Sequence, residues 1–372
     1  MTEWKRCKIS DIGTVIGGAT PSTKKVENYE GGEIPWITPR DLSSFTGRYI
    51  CRGERNITET GLKSCSTQLL PKNSVLFSSR APIGYIAIAK NEVCTNQGFK
   101  SVIPDINTHP LFLYYLLKYN KEKIENISSG TTFKEVSGNT MKNVEITIPM
   151  EFEIQEKIAS ILGTLDDKIE ENERINNNLE EQAFAIFNDL FPRTYNGLRR
   201  IGEFVSPQRG KNLLTKDAAL GDVPVVAGGL NPSTFHNVAN TKAPVVTISA
   251  SGANAGFVRL WNKPVWSSDS SFIDRSVSDH VYFWYALLKT RQKEIYDAQT
   301  GSAQPHIYPK HIADLAITDV ETNKMERYCM LVEPVFQLIG NLQQEAIKLE
   351  ALRNTLLPKL MSGKLDISEL DL

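Results

Sequence analysis

Residues 165–190 read LDDKIEENERINNNLEEQAFAIFNDL, and this stretch decides how the chain is built. Leu165, Ile169, Asn172, Asn176, Leu179, Ala183, Ile186 and Leu190 follow one another at alternating steps of four and three residues. That is heptad spacing, which lines one face of a helix. The run begins earlier, with Ile154, Ile158 and Ile161 or Leu162, and stops at Phe191-Pro192. From Phe152 to Leu190 the helix would measure roughly 57 Å. Alone, it would leave an apolar stripe in water, so it needs a partner. The same chain supplies one: Tyr328, Val332, Val335, Ile339, Leu342, Ala346, Leu349, Arg353 and Leu356 repeat the alternation. Pro334 is expected in an early turn or at a kink, and Leu357-Pro358 is expected to mark the end. The simplest pairing is an antiparallel coiled coil; the alternative is two amphipathic helices, each packed on its own domain. Asn172 and Asn176 fall in the seam, where buried amides fix register at some cost in stability.

The segments before the helices alternate in hydropathy and are rich in turns, as mixed β structure requires. Ser74-Val75-Leu76-Phe77, Tyr85-Ile86-Ala87-Ile88-Ala89 and Val144-Glu145-Ile146-Thr147-Ile148-Pro149 are strand-like in the first. Val245-Val246-Thr247-Ile248, Gly256-Phe257-Val258-Arg259-Leu260 and Leu315-Ala316-Ile317-Thr318 are strand-like in the second. Each also holds a short helical run, from Leu111 to Leu117 and from Tyr282 to Leu288. The parallels lie at a nearly fixed offset of about 171 residues, the mark of a duplicated domain. Ser129-Gly130-Thr131-Thr132 matches Thr300-Gly301-Ser302-Ala303, Gly84 matches Gly256, and Leu179 falls on Leu349. Ile34-Pro35-Trp36 is expected to match Val223-Pro224-Val225 in the same register. The fold class is α+β: two mixed α/β domains separated by two long antiparallel coiled-coil helices, a pseudo-two-fold internal repeat. The expected boundaries are a first domain at 1–150, a helix at 151–192, a second domain at 193–324, a helix at 325–360 and a tail at 361–372.

The net charge of −1 hides a partition. Residues 1–150 carry 19 basic against 14 acidic side chains, and 193–324 carry 15 against 11. The helical segment 151–192 carries 3 against 11, and 325–372 carries 5 against 7. Two mildly basic blocks thus alternate with two acidic ones, which is compatible with polyanion binding by the basic pair. The five cysteines are scattered and make no Cys-x-x-Cys pair, which fits thiols in a reducing compartment better than a disulfide framework or zinc site. His306 and His311 are five apart, a spacing that does not suit two ligands on one helix face. No apolar run approaches the roughly 18 residues needed to cross a bilayer. The start of the chain lacks the apolar core of a secretory signal. A cytoplasmic location is expected, with no membrane association and no metal or other cofactor.

The order head, helix, head, helix has a geometric consequence. Antiparallel helices would hold unlike heads at opposite ends, more than one DNA turn of roughly 34–36 Å apart. Such a molecule would read two short half-sites across a fixed gap, and the full site would not be a palindrome. Specific residues sharpen the reading. They run from Ile34-Pro35-Trp36-Ile37 and Asp41-Leu42 through Val75-Leu76-Phe77-Ser78-Ser79-Arg80-Ala81-Pro82-Ile83-Gly84 to Thr95-Asn96-Gln97-Gly98. Next come Ser129-Gly130-Thr131-Thr132-Phe133, Ile148-Pro149, Gln155-Glu156-Lys157-Ile158-Ala159-Ser160-Ile161-Leu162 and Leu165-Asp166-Asp167-Lys168-Ile169. In this order the chain resembles the specificity subunits of type I restriction–modification systems over essentially its full length. The second copy departs from the pattern at Lys324-Met325-Glu326-Arg327-Tyr328-Cys329. The resemblance implies two target-recognition domains on spacer helices, double-stranded DNA as ligand, and no catalytic site in this chain. It also implies two adenine-N6 methyltransferase subunits as partners and, in the full nuclease, restriction subunits that translocate and cut DNA.

Sequence reading needs phosphate contacts for register and polar side chains at base edges. The candidates in the first head are Arg40, Lys63, Ser79, Arg80, Asn96, Gln97, Thr132 and Lys134. In the second they are Arg209, Lys211, Lys242, Ser251, Asn254, Ser302, Gln304 and His306. All lie in Gly/Ser/Thr/Pro-rich connections, and Arg80 leads because it sits between a strand and a Pro-Ile-Gly turn. A methyltransferase needs an Asn/Asp-Pro-Pro-aromatic tetrapeptide, which Asn231-Pro232-Ser233-Thr234 is not. Pro104-Asp105 and Gln155-Glu156-Lys157 superficially resemble a nuclease triad, but the second string reads as solvated charge on the helix. Gly17-Gly18-Ala19-Thr20-Pro21-Ser22-Thr23-Lys24 lacks the Gly-Lys-Ser/Thr of a phosphate loop. A protein-binding coiled-coil scaffold and an enzyme with an unrecognised site are the competing classes. The first predicts no preferred duplex; the second predicts activity with a methyl donor or a divalent metal.

Overall fold

The computed structural model describes residues 3–80, 82–129, 134–194, 197–301 and 304–367. The chain forms two compact units, residues 1–170 with 347–372, and residues 171–346. The division cuts through both long helices, so each unit includes part of each. The sequence-based scheme instead treats the helices as separate spacers.

In the first unit the strands are β1 (Trp4–Lys8), β2 (Gly13–Gly17), β3 (Ile34–Ile37), β4 (Tyr49–Ile50), β5 (Arg55–Ile57), β6 (Val75–Ser79), β7 (Ile83–Ala89), β8 (Cys94–Thr95), β9 (Lys100–Pro104) and β10 (Glu145–Pro149). The helices are α1 (Pro39–Ser43), α2 (Glu59–Lys63), α3 (Pro110–Tyr119), α4 (Lys121–Asn126), α5 (Gly138–Lys142) and the start of α6 (Phe152–Leu190). One sheet has the order β2-β9-β6-β7-β4, a second β5-β3-β8, and β1 pairs with β10. β6 is buried along its whole length, as a central strand must be. α3 starts where His109 Nδ1 accepts the Phe112 N–H at 3.4 Å and Pro110 takes the first turn. Its residues Phe112 to Leu117 are all buried, so the helix is core on every side.

The second unit repeats this order with β11 (Arg199–Arg200), β12 (Gln208–Arg209), β13 (Val223–Val226), β14 (Thr234–His236), β15 (Val245–Ser249), β16 (Val258–Trp261), β17 (Trp266–Ser267), β18 (Ser270–Asp274) and β19 (Ala316–Ile317). Its helices are α7 (Val281–Thr290), α8 (Gln292–Asp297), α9 (Pro309–Ala313) and most of α10 (Thr322–Met361). The sheets are β12-β18-β15-β16, β14-β13-β17 and β11-β19, each the counterpart of one above. One parallel pair also corresponds, β3 with β8 and β13 with β17, while the parallel pair of β4 with β7 belongs to the first unit. Gly84 and Gly256 both sit at φ 89°, a left-handed conformation that side chains disfavour. The offset is near 171 only from β6 onward. Before that, β3 and β13 start 189 positions apart, because the first unit carries α1, β4 and α2 between its matching strands.

The long helices carry much of the core. In the first unit Ile154, Ile158, Ala159 and Leu162 of α6 share one apolar cluster with Leu360 and Met361 of α10. Asp166, only 6% exposed, accepts hydrogen bonds from Arg353 and from the Tyr115 hydroxyl. In the second unit Asn172 Nδ2 donates to Glu345 at 2.8 Å and Tyr328 OH donates to the Ala183 carbonyl at 3.3 Å. The numbers rise along α6 and fall along α10, so these segments run antiparallel.

Several expectations change. α10 runs Thr322–Met361, three residues earlier and one later than expected. Pro334 therefore lies in the helix interior. The carbonyl it leaves without its helical donor belongs to Met330, an exposed residue. Pro358 does not end the helix, which continues to Met361. Leu165 is half-buried while its neighbour Asp166 is buried, and Phe187 rather than Ile186 enters the core. The buried face drifts from strict heptads because α6 also packs on α3 and α7, through pairs such as Asp166–Tyr115 and Glu180–Tyr285. Gln155 is not solvated: it is 1% exposed, and it bonds the His109 N–H at 3.0 Å and the Asn107 and Pro149 carbonyls at 3.2 and 3.1 Å.

Candidate nucleic-acid interface

In each unit three chain segments are stitched together where the central strand ends. In the first, the Ser79 N–H donates to the Gly98 carbonyl at 2.7 Å, and the Val136 N–H donates to the Ser79 carbonyl at 2.9 Å. Ser129 and Glu135 exchange backbone bonds at 3.1 and 2.9 Å. In the second, Ala250 donates to Asp269 at 3.0 Å, Ile307 donates to Ala250 at 2.9 Å, and Thr300 and His306 exchange bonds at 3.0 and 2.8 Å. Every member of this junction has its counterpart 171 positions later. The scaffold is one scaffold used twice.

What the two junctions present differs. In the first, Arg80 Nη1 lies 3.8 Å from Glu135 Oε2, and Lys100 Nζ lies 3.6 Å from Glu135 Oε1. In the second, Arg209 Nη2 lies 2.6 Å from Asp269 Oδ1, and the Ser251 hydroxyl donates to Asp269 Oδ2. His306 stands where the first unit has Glu135, and its ring stacks on Tyr308 at 5.9 Å. Arg80 and Arg209 are 39% and 41% exposed, positions from which guanidinium groups can reach a phosphate or a guanine edge.

Of the first-unit candidates, Arg80, Asn96, Gln97 and Lys134 gather here. Asn96 Oδ1 accepts the Gly98 N–H at 2.8 Å, and Gln97, exposed, accepts from the Thr20 hydroxyl. Arg40 is close in the fold, since Pro39 packs against Gly98. Arg40 also lines an open cavity of about 430 Å³ with Phe45, Tyr49 and Arg52. Ser79 is a correction: it is 0% exposed and its hydroxyl is spent on the Gly98 carbonyl at 3.1 Å, so it builds the junction from inside. Lys63 stands apart at the end of α2, 4.0 Å from Glu59. Thr132 lies outside the described residues.

Of the second-unit candidates, Arg209, Ser251, Asn254, Gln304 and His306 gather, Asn254 through the turn in which its carbonyl accepts the Phe257 N–H at 3.0 Å. Arg209 and Lys211 together line a cavity of about 610 Å³ with Gln208, Asn240 and Phe272. Lys242 stands apart from the others. Its N–H bonds Asp274 at 2.6 Å, at the opposite end of β18 from Asp269. Ser302 lies outside the described residues. Sequence reading missed Glu135, Lys100 and Asp269. The repeat offset signalled one of them, since Glu135 aligns with His306.

Other residues of the family motifs serve as framework. Trp36 is buried and its indole N–H donates to the Ala19 carbonyl at 3.1 Å. Asp41 accepts the N–H groups of Thr38 and Glu54, both at 2.7 Å, closing the loop around α1. Ser78 accepts the Tyr85 N–H at 2.7 Å across the β6–β7 connection. Arg48, 4% exposed, ties the first head to α6 through the Gly163 carbonyl, Asp167 and Glu170. Burial opposes its charge, but the Glu170 and Asp167 carboxylates more than compensate and hold the guanidinium protonated. Among the described residues no cluster of three or more His, Cys, Asp or Glu side chains could hold a metal. Nor, among them, is any helix long and apolar enough to cross a membrane.

One scaffold repeated with different presented side chains defines a class of protein, a modular recognition chain. Residues 1–181 match the model of the type I restriction modification DNA specificity domain. The chain is 35% identical to the MjaIX type I restriction enzyme specificity subunit of Methanocaldococcus jannaschii, over 99% of this chain and 95% of that protein. It is 31% identical to the EcoR124I/EcoR124II specificity subunit of Escherichia coli, over 51% of this chain and 49% of that one. The crystal structure of the type I restriction–modification S subunit from M. genitalium superimposes with a TM-score of 0.64, covering 96% of both chains at 18% identity, a likeness of fold. The chain belongs to the specificity subunits of type I restriction enzymes, and its work is recognition of DNA sequence.

Proposed function

We propose that the chain reads a bipartite, asymmetric duplex site, one half-site through the junction of each unit. It docks two adenine-N6 methyltransferase subunits and, in the nuclease, the restriction subunits, and it has no catalytic site of its own. It works in the cytoplasm. The head segments 1–150 and 193–324 are the recognition domains, and the helices are spacers that set the gap. The observation that carries this reading is the junction: backbone bonds repeated 171 positions apart, with Arg80, Lys100 and Glu135 on one copy and Arg209, Ser251, Asp269 and His306 on the other. A duplicated framework supports two equivalent grips on a duplex. Unlike side chains support unlike half-sites. In the first unit Arg80, Arg40 and Lys134 would supply the cationic contacts; in the second Arg209 and Lys211 would do so, with Gln304 and His306 beside them.

The test is selection from random duplex DNA by the chain assembled with its methyltransferase. The reading expects two short blocks of different sequence at a fixed separation. Enrichment of one contiguous block, of a palindrome, or of nothing would overturn it.

A further inference from the structure

Both junctions place a carboxylate against the candidate DNA-facing cation, yet they draw it from different positions. In the first unit Glu135, on the crossing segment, lies within 4 Å of both Arg80 and Lys100. The matching position in the second unit is His306. There the carboxylate is Asp269, on the approach to β18, whose counterpart in the first unit is Gly98. The framework bonds at both positions are made by backbone atoms, so the fold needs neither carboxylate. Nor do these ion pairs add much stability, since every partner but Lys100 is 30–43% exposed and exposed pairs contribute little. A charge that the scaffold does not require, found twice at one place by two routes, belongs to what the place does.

We propose that Glu135 and Asp269 are specificity-determining positioning residues. Each holds its unit's cation in the free protein and keeps it from phosphates of arbitrary sequence. Phosphate binding is driven by unpaired cations and carries no sequence information. A carboxylate beside the cation opposes it twice, by occupying the guanidinium and by repelling the backbone. A matching base edge, such as the paired acceptors of guanine, can replace the carboxylate bond for bond; a wrong edge cannot. The effect is to lower affinity for all DNA and to raise the ratio of right to wrong. In the second unit Ser251 donates to the same Asp269 oxygen pair and keeps the carboxylate aimed at Arg209. This proposal rests on the reading that the junctions face DNA.

The experiment uses the full chain assembled with its methyltransferase subunits. Two duplexes of equal length are titrated over a range of salt, one bearing the motif that the assembly methylates and one with that motif scrambled. Glu135→Gln and Asp269→Asn keep the shape and remove the charge. Each is expected to bind the scrambled duplex roughly three- to tenfold more tightly near 0.1 M salt, with a log–log salt slope steeper by roughly one. The ratio of motif to scrambled affinity falls accordingly. Arg80→Ala is expected to lose motif binding by roughly tenfold or more. If neither isostere changes scrambled binding, or each weakens both duplexes equally, the proposal is overturned. A misfolded variant is recognised by its melting curve, and the variant in the other unit then decides. Wild-type assembly that does not distinguish the two duplexes would instead sink the DNA-reading function itself.

Discussion

Asp166 and Arg353 show how a single pair can govern the stability of the first unit. Their side chains are 6% and 15% exposed, and the Tyr115 hydroxyl donates to the same carboxylate at 2.6 Å. Burial, then the Asp166 charge, push the Tyr115 phenol far above its usual range, so it stays a donor. Removing Arg353 leaves a buried carboxylate without its counter-charge. Arg353→Met should cost about 3–5 kcal/mol in urea unfolding, and adding Asp166→Leu should recover much of that loss. A loss below about 1 kcal/mol would show that water reaches the pair. His109 gives a pH-dependent test at the same scale. Burial lowers its pKa below 6.5, and the Glu156 charge only partly offsets this. The neutral ring is also the form whose Nδ1 accepts the Phe112 N–H at the start of α3. With the folded value depressed, the unfolded chain binds the proton more readily. The contribution is therefore complete above pH 6.5 and is lost as pH falls through the folded value. His109→Asn, which keeps an acceptor at the cap, should flatten the melting temperature between pH 7.5 and 5.5 relative to wild type.

At the scale of elements, helix propensity and packing make opposite forecasts for Gly340. An exposed helical glycine changed to alanine gains roughly 1 kcal/mol. At Gly340, however, a Cβ would come 2.7 Å from Asn262 Cβ and 3.0 Å from Asn262 Nδ2. It would also disturb the bond from that amide to the Phe336 carbonyl, 2.7 Å long. Gly340→Ala should therefore destabilise by about 1–3 kcal/mol in thermal or urea unfolding; a gain would mean the Asn262 contact is soft. The same contrast explains what could be read from the sequence. The ends of α6 and the cores of α3 and α7 were legible because apolar spacing and flanking prolines act locally. The drift from Leu165 to Asp166 was not, because it depends on Tyr115, which is 51 residues away in the chain. The inserted α1, β4 and α2 were hidden because the repeat was anchored where it is strongest. At the junction, the exposure of Arg80 follows from its turn, whereas the burial of Ser79 does not, because a hydroxyl in a serine-rich stretch looks the same whether it faces water or the Gly98 carbonyl. The repeat offset sets Glu135 against His306 in the sequence, but only the folded chain shows which cation Glu135 and Asp269 each face.

At the scale of the whole molecule, α6 and α10 are each shared between the two units, with 39 and 40 residues. If they set the gap between half-sites, lengthening both must change it. One heptad inserted into each adds roughly 10 Å of rise and should lengthen the preferred gap by about three base pairs. Both half-site sequences should be unchanged. A fixed gap would remove the helices from that role. The central claim is that one duplicated framework carries two unlike sequence readers. It is tested most directly by mapping methylated adenines in DNA modified by this chain together with its methyltransferase subunits. The account predicts a single motif of two different short blocks, separated by bases of any identity, with a modified adenine in each block on opposite strands. A palindromic or uninterrupted motif, or methylation without a motif, would contradict it.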